Sequence, residues 1–450
     1  MEACNAGACQ ASRCTPGAHE DCYTGPESTK NVGACHGGQR TCETSGDWGA
    51  CAGELLPVAE ICGNAIDENC SGQADEDEDQ DGDGFSTCEG DCCDTTADCG
   101  SPNLVNPGAF DASGNNVDDD CDGTIDNVTA ADCDTGLASN SSDPMDYAKA
   151  LDLCRTATET DGRWGVISAN WSLADGTLTP ALDSRSIRAA FGANVTPRGG
   201  HALAEISSGK AADADDSNPS YDAAWSSPMS TVSGCPADWV AAHNGSLPNA
   251  PGCQAPASGT ANDSVMLTLR VRVPTNAQSF SLSTNFFSSE YPEWVCSAYN
   301  DFFVVLLDST WTGTPANPGD KNLATYTAAN GMKYPVGVNL AKDDTGLFNQ
   351  CVNGHTGCRT STLPPTTLCQ STEQLAGTGL DTAAAGSCDA DSLTGGGTGW
   401  LTTSGNVVGG EIITLRIAIW DTSDANLDSL AVIDNFKWAV TASEPGTIVD

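Results

Sequence analysis

Basic residues are scarce in this sequence. Of its 450 residues, 18 are Lys or Arg and 61 are Asp or Glu, so the formal charge at pH 7 is -43. A chain this acidic repels phosphate backbones and anionic lipid head groups, which argues against nucleic acid and anionic membranes as partners. Hydrophobic residues still make up 39% of the chain, which favours folded domains over a disordered acidic chain. Cations are the expected partners.

Long apolar runs are also missing. A membrane-spanning helix needs roughly 18 apolar residues, whereas the longest runs here, FFVVLL and IITLRIAIW, have the length of core strands. The chain opens with MEACNAGACQ, so we expect any signal peptide to be absent from it. Twenty-three cysteines without zinc-ribbon CxxC pairs indicate disulfides formed in an oxidising compartment. We therefore predict a secreted protein, extracellular or at the outer cell surface, with no transmembrane segment.

Sequence motifs for catalysis are not found either. The five histidines stand alone, and the sequence contains no HExxH, GxSxG or P-loop motif. We therefore predict that the protein is not an enzyme. Spacing in sequence does not exclude a carboxylate pair for glycoside hydrolysis, because it does not show spacing in the fold.

The cysteines divide the chain. Fourteen lie in the first 121 residues, and the other nine are spread through the rest. The odd total leaves at least one thiol unpaired or joined to another molecule. We expect disulfides, more than a hydrophobic core, to stabilise the cysteine-rich N-terminal part. The alternative is that its cysteines bind a metal ion. The predicted domains are a disulfide-stapled module at 1–58, acidic calcium-binding repeats at 59–130 and a β-sandwich at 133–445.

An internal repeat carries most of the N-terminal acids. GNAIDENCSGQAD at 63–75 and GNNVDDDCDGTID at 114–126 align without a gap, and DQDGDGFSTCEGDCCD at 79–94 repeats the spacing. Each stretch places oxygen-bearing residues at alternate positions around a glycine, the pattern of a loop that binds Ca²⁺ through about six to eight oxygens. The predicted ligands are Asp67, Asn69, Ser71, the Gln73 carbonyl, Asp75 and Glu78; Asp79, Asp81, Asp83 and the Phe85 carbonyl, completed by Glu89, Asp91 or Asp94; and Asp118, Asp120, Asp122, the Thr124 carbonyl and Asp126.

A solvated acidic face is the alternative interpretation of these acids. No Lys or Arg occurs from residue 41 to 148, however, and residues 59–126 carry twenty carboxylates. Like charges about 6 Å apart repel by about 0.7 kcal/mol per pair even at the dielectric constant of water. We therefore predict several bound Ca²⁺ ions. Cys70 and Cys121 occupy the fourth loop position, which suggests that disulfides replace the flanking helices of a sensor and favours a structural role.

The acidic segment resembles a known family. The run from GACHGGQRTCETSGDWGACAGE through PVAEICGNAIDENCSGQADEDEDQDGDGF to VNPGAFDASGNNVDDDCDGTIDN is similar to the metal-binding repeats named after the methanotroph surface protein MopE. Such repeats are common in secreted proteins of myxobacteria and related bacteria. The resemblance implies calcium sites at the aspartate loops. It does not imply copper binding, because the repeats do not carry it and no histidine cluster here would replace it.

From about residue 133 the sequence becomes strand-rich. MDYAKALDLCRTA predicts a helix, after which SVMLTLRVRV alternates Val and Leu at 265–273 with polar residues or Met266, as in a half-buried antiparallel strand. SFSLSTNFF, DFFVVLLD, EIITLRIAIW and LAVIDNFKWAV continue the series, so we predict a jelly-roll-like β-sandwich. Long surface loops are expected at 311–333 and 351–400. The predicted fold class is mainly β, with a disulfide-rich N-terminal segment of little regular structure.

A second resemblance covers most of residues 140–441. NFFSSEYPEWVCSAYNDFFVVLLD, GTGWLTT and LRIAIWDTSDANLDSLAVIDNFKW are similar, in the same order, to the motifs of the choice-of-anchor L domain of bacterial surface proteins. This resemblance implies an extracellular structural or adhesive domain. The family has no established activity, so the resemblance implies none for this chain.

Acids within these motifs suggest further metal ligands. Asp421, Asp424 and Asp428 lie in DTSDANLD, which resembles a cation-binding loop. The alternative is that such residues cap turns and satisfy backbone amides. Other candidates for the same edge of the sandwich are Glu290, Asn300, Asp301, Asp434 and Asn435.

Two functional classes follow from these patterns. The first is a secreted calcium-binding structural or adhesive cell-surface protein, such as the subunit of an extracellular fibre, in which calcium rigidifies the N-terminal repeats. The second is a calcium-dependent lectin-like protein that binds polysaccharide through exposed Trp225, Trp239 or Trp311. We favour the first, because the stapled, acidic half offers no obvious pocket chemistry.

Overall fold

Strands dominate the regular structure of this chain. A computed structural model describes residues 2–5, 8–11, 14–127, 132–160, 162–250, 252–254, 256, 259–328, 331–339, 345–354, 356, 369–381 and 395–450. The chain divides into an N-terminal unit, Met1–Pro107 with Asp118–Ile125, and a C-terminal unit, Gly108–Val117 with Asp126–Asp450. Both α-helices of the described residues are short, and neither has the length or the apolar character to cross a bilayer.

The N-terminal unit has little regular structure, as predicted. Strand β1 (Glu2–Asn5) pairs with β2 (Ala8–Ala11), and β3 (His19–Cys22) pairs with β4 (Gly38–Thr41), both antiparallel. Disulfides rather than a large apolar core hold the remaining turns together. Six of them lie among its described residues: Cys14–Cys42, Cys22–Cys51, Cys35–Cys70, Cys62–Cys88, Cys92–Cys121 and Cys93–Cys99. The Cys35–Cys70 bond joins the predicted 1–58 module to the acidic repeats.

The C-terminal unit is a two-sheet β-sandwich without a closed barrel. Its helices are α1 (Pro144–Ala150) and α2 (Ala237–Ala242). Its strands are β5 (Gly165–Ser172), β6 (Arg185–Arg188), β7 (Leu203–Ser207), β8 (Val232–Ser233), β9 (Ala261–Arg272), β10 (Ser279–Ser288), β11 (Phe302–Asp308), β12 (Thr325–Thr327), β13 (Lys333–Pro335), β14 (Gly396–Asn406), β15 (Ile412–Asp421), β16 (Ser429–Ala439) and β17 (Gly446–Val449). One sheet has the strand order β13-β12-β17-β14-β10-β16-β7-β6, and the other has the order β11-β15-β9-β5, with β8 paired to β9.

Apolar residues fill three layers of this sandwich. The main core lies between the sheets and takes alternate residues of β11, including Phe303 and Val305. The other face of β11, with Phe302 and Val304, packs beneath α2 in a second cluster around Trp239. A third cluster covers the outer face of the larger sheet. Strands buried on both faces explain the uninterrupted apolar run in DFFVVLLD.

The five strands predicted from the sequence are confirmed as β9, β10, β11, β15 and β16. The helix prediction was too long, because α1 ends at Ala150, Asp152 adopts a left-handed φ of 68° and Cys154 is tied to Cys133. The predicted loops at 311–333 and 351–400 were also too long. The first contains β12, and the second contains the start of β14, while most of its middle lies outside the described residues.

Two connections cross between the sheets at one end of the sandwich. One joins β10 to β11 and the other joins β15 to β16. They lie together because β10 pairs with β16 through Ser288 and Ser429, while β11 pairs with β15 through Phe302 and Trp420. We call residues 289–301 and 422–428 the two crossovers.

Candidate metal centres

The three acidic loops share one backbone conformation at the glycine in their sixth position. Gly72, Gly84 and Gly123 have φ angles of 104°, 100° and 91°, in the left-handed region that would strain a residue with a side chain. Cys70 and Cys121, which align in the repeat, are left-handed as well, at 62° and 55°. The two repeats therefore fold alike locally, and a disulfide fixes the cysteine of each.

The first aspartate of each loop binds backbone amides across the turn. Its carboxylate accepts two hydrogen bonds, so the chain curls around this side chain much as it would around a cation. The donors are the amides of Ser71 (3.0 Å) and Gly72 (3.0 Å) for Asp67, Gly82 (2.7 Å) and Gly84 (3.0 Å) for Asp79, and Asp122 (3.1 Å) and Gly123 (2.9 Å) for Asp118.

Five carboxylates of the second loop converge. One oxygen each of Asp79, Asp81 and Asp83 lies within 4.8 Å of the others, and the same limit holds for Asp81, Asp91 and Asp94. Asp81 belongs to both triads, so the five groups form one cluster. One oxygen of Asp81 and one of Asp91 are buried without a hydrogen-bond partner. Buried polar atoms are normally paired, so these two oxygens suit a bound cation.

The structure distinguishes among the three residues proposed to complete this loop. Asp91 and Asp94 are buried and join the cluster. Glu89 does not, because its carboxylate accepts a hydrogen bond of 3.1 Å from the Ser86 amide and caps a short helical turn. The Phe85 amide donates to Asp83 at 2.9 Å. Ligation by the Phe85 carbonyl stays a prediction.

Crowding and burial shift the acidities in this cluster. Burial, assisted by the charge of Asp81 and opposed by the Phe85 amide, raises the pKa of Asp83 to about 6. Burial is also the largest cause of the raised pKa values of Asp81 and Asp91, and neighbouring carboxylates contribute to both. The pKa of Asp79 is lowered, since hydrogen bonds from backbone amides outweigh the effect of its burial. A divalent cation among these groups would favour the ionised form of all of them.

The first loop uses acids that the sequence pattern did not single out. Glu60, Asp67 and Glu76 each place an oxygen within 4.8 Å of the other two. Glu60 also accepts amide hydrogen bonds from Asn69 at 2.7 Å and from Asp75 at 3.1 Å, so it fastens the start of the repeat to the loop. The loop template starts at Asp67, and this is why it missed Glu60.

The remaining ligands predicted for the first loop have other contacts. Asp75 accepts hydrogen bonds from the amides of Asn64 and Ala65, both at 2.9 Å, and Ser71 contacts Glu76. The Asn69 side chain accepts from the Ser71 amide at 2.9 Å. Glu78 is exposed and is not part of the Glu60–Asp67–Glu76 triad. Ligation by these residues and by the Gln73 carbonyl stays a prediction.

The third loop brings Asp118, Asp120 and Asp122 together, with one oxygen of each within 4.8 Å of the others. Asp120 is buried, and Asp122 accepts the Thr124 amide at 2.8 Å. Asp126 belongs to the C-terminal unit, where its carboxylate accepts hydrogen bonds from the amides of residues 114–116. Ligation by Asp126 and by the Thr124 carbonyl stays a prediction. Cys92 and Cys121 lie near Asp91, but their mutual disulfide removes both thiolates as ligands.

The acids predicted in the sandwich separate into two groups. Asp421 is buried at the end of β15, together with Asp301 and Glu290 from the first crossover, and Asp424 interacts electrostatically with the latter two. Asp428 acts as a cap, since its carboxylate accepts the Ser227 amide at 2.9 Å, and its charge also raises the pKa values of Asp301 and Asp421.

Asn300, Asp434 and Asn435 do not join this group. Asn300 accepts the Asn339 amide at 2.7 Å. Asp434 lies five residues along β16 from Ser429, or about 16 Å at the usual rise of a strand. Its carboxylate accepts amides at Arg198 and Gly199. Asn435 follows it on the strand, and the proposed convergence of these residues with Asp421 was therefore wrong.

Two of the tryptophans suggested for sugar binding are not on the surface. Trp239, a residue of α2, is fully buried where this helix packs against β11 and β15. Trp225 is 5% exposed and belongs to the third apolar cluster. Trp311 is half-buried, and its indole donates to the Pro315 carbonyl at 2.9 Å. The idea that Trp225 and Trp239 are exposed was wrong, because each completes an apolar layer outside one of the sheets.

Comparisons with known protein families match both halves of the chain. Residues 58–76 and 100–127 match the MopE-type family described as Putative metal-binding motif, and residues 253–435 match the choice-of-anchor L domain. Neither curated proteins nor solved structures give a match. The choice-of-anchor domain implies a cell-surface protein, and the acidic clusters and the first motif support metal binding. The chain thus combines metal-binding motifs of the MopE type with a choice-of-anchor L domain, in the order expected from its sequence.

Proposed function

We propose that this chain is a secreted, calcium-binding structural or adhesive protein of the cell surface, which acts without catalysis. Bound calcium would rigidify the acidic, disulfide-crosslinked unit, and the sandwich would make the surface contacts. The observation that carries this proposal is the convergence of Asp79, Asp81, Asp83, Asp91 and Asp94 around a left-handed glycine turn.

The ligand chemistry favours calcium over copper. The three loop clusters offer carboxylate oxygens, which suit hard cations such as Ca²⁺, whereas copper sites typically use imidazole or sulfur. The cysteines near the loops are held in disulfides, and those thiolates are not available.

A structural role fits the way the loops are held. In a sensor, calcium moves flanking helices, whereas here disulfides at Cys70 and Cys121 fix the same loop position covalently. Binding to the folded state alone would stabilise the unit by about 2.7 kcal/mol at a hundredfold excess of calcium over its dissociation constant. Calcium would therefore act on rigidity rather than on a large conformational change.

A covalent fibre is not favoured by the described cysteines. Cys235 is a free thiol, but it is buried beneath α2 and is not positioned to bond with another molecule. Among the described residues, no thiol is therefore placed for a covalent link, and light scattering at high calcium can detect self-assembly of either kind.

Calorimetric titration of the full oxidised chain with Ca²⁺ and with Cu²⁺ tests the proposal. We expect several Ca²⁺ ions per chain and a chelator-sensitive melting transition. The variant Asp81→Asn should lose one ion or weaken that site by on the order of tenfold, because Asp81 is shared by both triads. Asp98→Asn is the matched control, since Asp98 lies in the same segment, is exposed and bonds only locally with Thr95.

Three results would count against the calcium proposal. One is the absence of Ca²⁺ binding at millimolar concentration, and another is stoichiometric binding of Cu²⁺ in its place. The third is an equal effect of Asp81→Asn and Asp98→Asn, which would indicate a solvated acidic face. Specific binding on a glycan array would favour the lectin interpretation.

A further inference from the structure

Three carboxyl groups meet where the two crossovers pass between the sheets. Glu290 lies in the first crossover, Asp301 ends it, and Asp421 is the last residue of β15. Phe302 is paired with Trp420 across β11 and β15, so the next position outward places Asp301 opposite Asp421. Like charges directly opposite each other on neighbouring strands are destabilising. This arrangement needs a compensating interaction.

All three groups are withdrawn from water. The exposed fractions of Glu290, Asp301 and Asp421 are 2%, 0% and 1%. Four of their carboxylate oxygens, Oε2 of Glu290, Oδ1 of Asp301 and both of Asp421, are buried without a hydrogen-bond partner of normal geometry. Most buried polar atoms in folded proteins have such a partner. Four unpaired oxygens at one corner therefore indicate that a ligand belongs there.

The surrounding protein does little to neutralise the cluster. Within the described part of the chain, none of the three acids forms an ion pair with a Lys, Arg or His. The Ser429 hydroxyl donates to Asp301 at 2.5 Å, and hydrogen bonds with Asp421 and Ser208 lower the pKa values of Asp301 and Asp421 respectively. Burial is nevertheless the largest influence and raises the pKa of all three acids. Repulsion by neighbouring carboxylates adds to it, and these neighbours include Asp424 and Asp428 as well as members of the cluster.

Either protons or a cation could neutralise these groups. Asp301 and Asp421 lie close enough to share a proton, because a hydrogen bond between their side chains lowers the pKa of Asp301. Such a proton would neutralise that pair alone, and four oxygens of the three acids still have no partner of normal geometry. Glu205 on β7 is a buried acid outside this cluster, where one oxygen accepts from Ser186 at 2.7 Å and the nearby Arg188 lowers its pKa. A single cation shared by Glu290, Asp301 and Asp421 would neutralise all three acids at once.

We propose that Glu290, Asp301 and Asp421 bind one hard divalent cation of the calcium class, which ties the first crossover to the end of β15, where the second crossover begins. The ligand set is all oxygen, as calcium prefers. Asp424, half-exposed in the second crossover, interacts electrostatically with Glu290 and Asp301 and adds negative charge near the site. This site uses only residues of the C-terminal unit and is independent of the acidic loops.

Hydrogen exchange on the full oxidised chain, with Ca²⁺ as the probe, tests the site directly. We expect Ca²⁺ to slow amide exchange in residues 289–301 and 422–428, by about 100-fold at a hundredfold excess over the dissociation constant. Asp421→Asn should bind one ion fewer than the unaltered chain and lose this protection. Glu205→Gln is the matched control, because it neutralises an equally buried acid outside the cluster and should keep both the ion count and the protection of the crossovers.

The outcomes separate this site from the loops. Asp81→Asn should lose an ion without changing exchange in the crossovers, so each proposal can fail alone. An unchanged ion count in Asp421→Asn would overturn the sandwich site and assign protons to the cluster. If Asp421→Asn does not fold, the unaltered chain decides: equal exchange in the crossovers with calcium and with chelator overturns the proposal.

Discussion

At the scale of single residues, acids of similar type play different roles because their surroundings differ. Asp81 and Asp91 each have a buried carboxylate oxygen without a hydrogen-bond partner, whereas the carboxylates of Asp428 and Asp434 accept hydrogen bonds from backbone amides. The sequence pattern grouped Asp81 with Asp79 and Asp83, because alternate side chains around a glycine turn to one side, whereas it left Asp91 as one of three alternatives for completing the loop. It could not identify Glu60 as a partner of Asp67, since that contact depends on how the chain folds back over several residues.

The buried acid Glu205, which lies outside the three-acid cluster, makes the stability of the sandwich depend on pH. Burial raises its pKa to about 8 from 4.5, so the folded state holds this proton more tightly than the unfolded state. Stability should therefore fall as the pH rises from 4.5 to about 8 and then level off. Glu205→Gln should abolish the decrease in the free energy of unfolding that Glu205 causes over this pH range. That decrease is on the order of a few kcal/mol, since one pKa unit corresponds to about 1.4 kcal/mol.

Urea unfolding of both chains between pH 5 and pH 8, followed by tryptophan fluorescence, measures this difference. At pH 5 the two stabilities should be similar, because Glu205 is protonated in the folded state and Gln also accepts from Ser186. Parallel pH curves for the two chains would show that Glu205 ionises without cost and that its burial is compensated.

At the scale of elements, strand patterns in the sequence identified β9, β10, β11, β15 and β16 but missed β14, which has 11 residues, and the layers outside the sheets. The second apolar cluster depends on α2, a helix of six residues that has little stability of its own. Trp239 anchors it through edge contacts with Phe302 and Trp420, at ring-centroid distances of 5.5 and 5.7 Å. Such a contact joins residues far apart in sequence. Propensity and periodicity therefore could not predict that α2 covers this sheet.

Loss of the Trp239 anchor should release α2 and expose the thiol beside it. Trp239→Ala is expected to cost roughly 3–5 kcal/mol and to make Cys235, now buried with a pKa raised to about 12 by its burial, accessible to a thiol reagent. Val240→Ala, a change in a partly buried neighbour on the same helix, is the control and should leave the thiol protected.

Labelling of the native oxidised chains by a thiol-reactive dye gives the rates. A Cys235→Ala change in the Trp239→Ala background should abolish the new signal, which assigns it to this residue. Equal labelling of the Trp239→Ala and Val240→Ala chains would show that packing by Trp239 does not hold α2 in place.

At the scale of the whole molecule, the two units gain stability from different sources. The C-terminal unit has three apolar layers, whereas the described part of the N-terminal unit relies on six disulfides, which oppose the repulsion among its acids. Composition alone showed this contrast, because strand patterns and cysteine density change between the two parts of the sequence. The disulfide pairing could not be read from the sequence, since many connectivities fit the same spacing.

This contrast predicts that calcium removal expands the acidic part of the chain and leaves the rest compact. Twenty carboxylates in residues 59–126 face no Lys or Arg between 41 and 148, so chelation should restore their full repulsion within limits set by the disulfides. Small-angle scattering should then show a larger radius of gyration with chelator than with calcium. Sodium chloride at about 0.15 M, where the screening length is about 8 Å, should reverse only part of the expansion, because screening does not replace coordination. Full reversal by salt alone would mean that the acids are a solvated face, and an unchanged radius would mean that the disulfides suffice to hold the unit.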